Sequence, residues 1–289
     1  MSKNQSRRNF IKMTGLSLAS GSLLGSITTL AKPLAKKFSL ENNPGNEKLT
    51  IGLCSYCFRT YPLAEAIAMI KRLGVTKVSL KEAHLSLKAS KEEIQKAYEE
   101  IKAAGLDLYT VGVIYMTNEE EVNRAFEYAK GLNVKMIVGV PEYDLLPLAE
   151  KKVKEYDIKL AIHNHGPKDK RYPSPQDVYD RIKNLDSRMG MCLDIGHTTR
   201  LGLDPSEQAE KYFDRLFDLH IKDETAAAAE GTTLEMGRGV IDIPKFFKTL
   251  IRLNYKGVCS LEYEKDPKDP LAGVAESIGY ARGVLNAIS

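Results

Sequence analysis

Cysteine is too scarce in this sequence to hold a fold together. The four cysteines, at positions 54, 57, 192 and 259, do not make a disulfide framework for a chain of this size. Cys54-Ser55-Tyr56-Cys57 has redox-motif spacing, but it ends an apolar run instead of opening a helix after one, so a bond between its ends is weakly supported. Cys192 and Cys259 sit inside apolar runs and read as small buried hydrophobes. A second lack is a long apolar run: past residue 31 nothing approaches about 18 uninterrupted apolar residues, so no stable membrane span is expected in the mature protein. A third is excess charge. The chain carries 42 Lys+Arg against 38 Asp+Glu, but residues 1 to 48 hold eight of the bases and two of the acids, leaving 34 against 36. That balance offers no electrostatic footprint for nucleic acid, whose binding rests on neutralising phosphates.

What the first residues do have is a leader. Ser6-Arg7-Arg8-Asn9-Phe10-Ile11-Lys12 precedes an uncharged stretch from Met13 to Ala31 rich in Leu, Ser, Gly and Thr. This is the layout of a twin-arginine signal peptide over 1–31, and it predicts export to the periplasm with the twin-arginine translocase as a transient partner. A membrane anchor is the alternative, because the stretch is nearly long enough to span. Residues 32–48 read as a polar linker, and 49–289 as one domain with a sizeable core.

Within that domain one alternation repeats eight times. Short runs apolar throughout fall near 49–54, 76–81, 106–113, 134–140, 158–163, 189–195, 215–221 and 257–262. Helical patterns lie between and after them, near 62–73, 91–104, 118–131, 144–156, 175–185, 205–213, 242–253 and 271–287. Ser90 with Glu93 spells a capping box, Thr117 or Asn118 precedes an acidic first turn, and Gly74, Gly105 and Gly131 are placed as helix stops. Fully apolar strands alternating with amphipathic helices imply a parallel sheet covered by helices. Eight such units suit a closed (β/α)8 TIM barrel, whose site lies at the C-terminal strand ends. An open doubly wound sheet is the alternative.

The run ends carry the chemistry. Leu160-Ala161-Ile162 leads straight into His163-Asn164-His165, and alternation sends both imidazoles to one face. Similar endings recur in Met191-Cys192-Leu193-Asp194-Ile195-Gly196-His197, in Leu216-Phe217-Asp218-Leu219-His220-Ile221-Lys222-Asp223, and in Val258-Cys259-Ser260-Leu261-Glu262-Tyr263-Glu264. Four of the five histidines lie at these ends. An acid or histidine closing an apolar strand is costly to bury unless paired or coordinated, which makes Asp194, His220 and Glu262 candidate metal ligands.

The order of these motifs, with Gly237-Arg238-Gly239-Val240-Ile241-Asp242 between the last two, resembles the xylose isomerase-like TIM barrels. That broad group of sugar phosphate isomerases/epimerases also includes ketose 3-epimerases, inosose dehydratases and abasic-site endonucleases. The resemblance implies one divalent metal held by Glu, Asp, His and Glu after strands five to eight, with Asp194, His220 and Glu262 in three of those places. The fourth place holds His163. Either His163 ligates the ion itself or Glu142, at the tip of strand four, supplies the carboxylate; the expectation here is Glu142 as ligand with His163 nearby. A mixed imidazole and carboxylate set favours Mn2+, with Co2+, Zn2+ or Mg2+ as alternatives.

The resemblance further implies a sugar or keto-sugar substrate and proton abstraction next to its carbonyl. Ketose epimerases of the group use two metal-bound Glu residues on opposite faces, a symmetry lost with His163. Isomerisation, or elimination from a 3-keto-glycoside or inosose, therefore gains over epimerisation, with His163 or His165 as the base. Candidate substrate contacts are Lys81, His84, His197, Lys222 and Arg238. Each has a plainer role available: the lysines on a solvated surface, His84 as a loop brace, His197 as an orienting partner of the ligands. Asp242 reads as the cap of the helix beginning at Ile243-Pro244. No phosphate-cradling loop is evident, which favours an unphosphorylated sugar. A barrel that binds carbohydrate without catalysis is the competing class; an abasic-site nuclease would need more histidines than this chain has.

Overall fold

The computed structural model describes residues 49–288; the leader and linker lie outside them. Eight strands close a barrel: β1 (Thr50–Cys54), β2 (Lys77–Leu80), β3 (Asp107–Met116), β4 (Met136–Pro141), β5 (Lys159–His163), β6 (Met189–Asp194), β7 (Leu216–Ile221) and β10 (Val258–Leu261). Two short strands, β8 (Asp223–Glu224) and β9 (Thr233–Leu234), form an antiparallel hairpin beside the barrel. β1 pairs in parallel with both β2 and β10, which closes the ring and excludes the open sheet. The fold is a single (β/α)8 TIM barrel.

Its helices are α1 (Leu63–Arg72), α2 (Lys91–Ala103), α3 (Glu119–Gly131), α4 (Leu146–Tyr156), α5 (Pro175–Ile182), α6 (Ile195–Thr199), α7 (Pro205–Lys211), α8 (Ile243–Arg252) and α9 (Leu271–Ile288). Local chemistry explains their ends. Ser90 and Glu93 form the reciprocal capping box, Asn118 accepts from the Glu121 amide, and Asp242 accepts from the Lys245 amide. Gly74 and Gly105 take the left-handed conformation that stops α1 and α2. Gly131 does not stop α3; it is the last residue of that helix, and Asn133, at φ 54°, makes the turn. No described helix is long and apolar enough to cross a membrane.

Strand alternation divides the core in two. Leu160, Ile162, Leu193, Leu219 and Leu261 point outward into the main cluster under the helices. Their neighbours Ala161, Cys192, Asp218 and Ser260 point into the barrel, and Val138, Ala161 and Cys192 form an apolar plug of their own. One step further along each strand, the same inward face brings His163, Asp194, His220 and Glu262 to the top of that plug. All four cysteines are buried free thiols, so Cys54 and Cys57 are not bonded to each other. Cys57 instead donates to the Leu261 carbonyl and accepts from the Tyr263 amide.

Candidate metal and sugar site

At the C-terminal mouth, His163, Asp194, His220 and Glu262 each offer one ligand atom, and these atoms all lie within 4.8 Å of one another. All four residues are buried. His163 Nε2 is 2.9 Å from His220 Nδ1 and 3.4 Å from Asp194 Oδ2, while His220 Nδ1 is 3.4 Å from Glu262 Oε2. Asp194 is fixed by its neighbours: Oδ1 caps α6 by accepting from the His197 amide, and Asn164 Oδ1 accepts from its own N–H. Its Oδ2 has no aligned hydrogen bond, and neither has His220 Nε2. Asp194 Oδ2 instead faces the Lys222 ammonium at 3.0 Å, and a buried set of two imidazoles and two carboxylates whose ligand atoms converge within 4.8 Å fits a divalent cation.

Glu142 is not brought into this set. Its carboxylate is part-exposed and held by Arg171 at 2.7 Å, because the residue follows β4 and starts a short 3-10 turn leading outward. His163, the last residue of β5, takes the fourth place by alternation. The two lysines read as surface candidates are buried instead. Lys222 Nζ lies 3.0 Å from Asp194 Oδ2, 2.9 Å from Glu262 Oε2 and 2.5 Å from Glu264 Oε1. Lys81 Nζ is 2.9 Å from Glu262 Oε1.

These pairs set the charges. Burial alone would raise Asp194 and Glu262, but Lys222 beside both, with Lys81 beside Glu262, holds them well below the usual carboxylate range. The carboxylates in turn keep both ammoniums protonated against burial. Burial lowers all five histidines, and His165, also facing His197, is pushed down to about 4. The imidazoles are therefore neutral at pH 7, the form that ligates a metal or accepts a proton.

Above the cluster is a cavity of about 370 Å³ lined by His163, His165, His197, Lys81 and Glu262. Tyr56, Glu82, Ala83, Val113, Tyr115 and Glu264 complete the wall, and none of these six was singled out from sequence. Tyr115 had a legible signal: alternation along β3 places it at the same strand end as the metal-type residues. Its hydroxyl is 2.9 Å from His165 Nε2, and His165 Nδ1 is 3.4 Å from His163 Nδ1. A larger groove of about 870 Å³ between α2 and α3 is remote from these groups.

Two candidate contacts are employed elsewhere. His84 braces the turn after β1, through Ser55 Oγ at 3.0 Å and the Phe58 carbonyl at 3.1 Å. Arg238 is exposed and forks onto Glu276 at 2.6 and 2.7 Å. The loop carrying Arg238 is positioned by Asp223, whose carboxylate accepts from the amides of Gly237, Gly239 and Ile241. A Cβ at Gly239 would meet Asp223 Oδ1 at 2.2 Å, whereas one at Gly237, at φ 88°, would meet the Tyr280 ring at 2.3 Å.

The sequence profile described as "Xylose isomerase-like TIM barrel" matches residues 67–284. The chain belongs to that family. An inosose dehydratase from Histophilus somni is 30% identical over 156 residues, which cover 46% of this chain and 51% of that protein. The chain thus spans about half the length of the curated relatives it matches. Among solved structures, the 3-keto-D-glucoside 4-epimerase from E. coli superposes with a TM-score of 0.68 at 17% identity, over 81% of this chain and 99% of that one. A xylose isomerase-like TIM barrel protein from Mycobacterium smegmatis, solved in complex with magnesium, superposes with a TM-score of 0.63 at 18% identity, over 83% and 97%. At these identities the two structures establish the shared fold.

Proposed function

We propose that the chain is an isomerase or epimerase-type enzyme that removes a proton next to the carbonyl of a sugar or keto-sugar, at a divalent-metal site held by His163, Asp194, His220 and Glu262. The observation that carries this reading is the convergence of those four side chains under a cavity whose wall holds a second, neutral imidazole, His165. Mn2+ leads the candidate ions, ahead of Co2+, Zn2+ and Mg2+. When bound, such an ion polarises the carbonyl and its neighbouring hydroxyl and so acidifies the C–H between them. With His163 among the ligands, the base is His165. Its half-buried imidazole is a weak base at rest, but the negative charge developing on the enediolate offsets the cost of charging the ring.

Lys81 and Lys222 pin Glu262 by two ion pairs, so a free carboxylate base on each face of the substrate is lacking. Single-base chemistry follows: reprotonation at the neighbouring carbon gives isomerisation. Loss of a β-leaving group gives elimination, a second reading supported by the match to inosose dehydratase. We place the reaction in the periplasm on the strength of Ser6 to Lys12, which lies outside the described residues.

The test is to incubate enzyme, Mn2+ and a keto-sugar panel in deuterated water and follow deuterium at the α-carbon by mass spectrometry. His165→Gln should lower exchange about 100-fold or more, the usual reach of a general base. Exchange at the wild-type rate would remove His165 from the chemistry. Absence of both exchange and turnover across the panel would favour a barrel that only binds carbohydrate.

A further inference from the structure

A second cavity of about 460 Å³ lies beside the first and meets it at His197 and Glu264, which line both. The rest of its wall combines Arg200 from the turn after α6, Glu224 from β8, Thr232, Thr233 and the apolar Leu234 from the hairpin, Gly231, and Lys265. None of these residues is used by the proton-abstraction chemistry. Each cavity alone falls at the small end of ligand sites, roughly 300–1,000 Å³, so each suits one sugar ring.

The wall is built in advance of any ligand. The hairpin is closed by Thr225 N–H to the Thr232 carbonyl at 2.9 Å and by Thr232 N–H to Thr225 Oγ1 at 3.0 Å. Arg200 is tied to this loop through the Ala229 carbonyl at 2.8 Å, and Gly231 packs against Arg200 so closely that a Cβ would meet its Cγ at 3.3 Å. Hydrogen-bonding capacity is nonetheless left over, since Arg200 Nε and Glu224 Oε2 are buried without partners. Burial also pushes Glu224 up to about 7, so near neutral pH it both donates and accepts.

Lys265 is already paired with Glu235 at 2.9 Å and Glu264 with Lys222 at 2.5 Å, which leaves Arg200, Glu224 and the two threonines to meet a ligand. A wall of mixed donors and acceptors beside the apolar Leu234 suits the hydroxyls and the C–H face that a second sugar ring presents.

We propose that this cavity is a second sugar subsite, and that the substrate class is a glycoside whose reacting ring sits over the metal cluster while a glycosidically linked ring lies between α6 and the β8–β9 hairpin. The inference rests on the keto-sugar reading above and narrows it. It is tested by isothermal titration of the Mn2+-loaded protein with 3-ketoglucose and with 3-ketolactose, which carries an added ring. The two-ring sugar should bind at least ten-fold tighter. Thr233→Phe, which fills the second cavity, should abolish that advantage while changing 3-ketoglucose affinity less than two-fold; if that variant does not fold, Glu224→Gln, unchanged in size, should cut the advantage by most of its value. Equal affinity for the two sugars, or variants that weaken both alike, would overturn the subsite and leave the keto-sugar reading standing. Binding of neither sugar by the wild-type protein would overturn both.

Discussion

Asp218 sits one inward step below His220 and shows how burial alone reshapes a side chain. It is fully buried, with the Tyr109 hydroxyl 3.1 and 3.2 Å from its two oxygens, and burial pushes its carboxyl up to about 8. A group raised in this way stabilises the fold fully below the unfolded value near ~4 and loses that contribution as pH climbs through the folded value. The protein should therefore weaken between about pH 4 and pH 8 on account of this residue, by on the order of 5 kcal/mol at most. Asp218→Asn cannot ionise, so thermal melts should show the variant more stable than wild type at pH 9 and no more stable at pH 5. Parallel pH profiles for the two would mean that Asp218 is not held protonated. The residue lies in the same apolar run as His220, and the period of two that aimed His220 inward also aims Asp218 inward. Polarity alone does not reveal that a side chain below the site lies in a dry plug while one above it faces a cavity.

At the scale of elements, the strand ends were legible and the short pieces after them were not. Eight apolar runs and eight amphipathic patterns follow from side-chain periods that hold over many residues. α6, only five residues long, and the two-residue strands β8 and β9 have no period to read; they exist because Asp194 caps the chain as it leaves β6 and Asp223 clamps the loop after β7. The choice between His163 and Glu142 also rested on such a piece. His163 ends a strand and Glu142 directly follows one, and only the outward turn after β4 and the Arg171 partner remove Glu142. These pieces pack closely at Gly196, where a Cβ would meet Lys222 Cγ and Cδ at 2.5 Å and Glu224 Oε1 at 2.6 Å. Gly196→Ala should cost about 1–3 kcal/mol by overpacking and disturb Lys222 against Asp194 and Glu262, which calorimetry and metal titration of the variant would read together. An alanine variant with wild-type stability and metal affinity would show that Lys222 has room to move.

At the scale of the whole molecule, closure of the barrel is what brings residues from positions 56 to 264 to one mouth, and the proposed export signal bears on where that mouth works. Replacing Arg7 and Arg8 with lysine should hold the protein in the cytoplasm, read by fractionation; unchanged export would point to another route. The central claim is that His163, Asp194, His220 and Glu262 hold one divalent ion above the barrel plug. Anomalous diffraction from crystals grown with Mn2+ tests it most directly. A single strong peak within bonding distance of all four side chains, lost in Asp194→Ala, is the predicted result; a peak bonded to Glu142 instead of His163, or no peak among these residues, would contradict it.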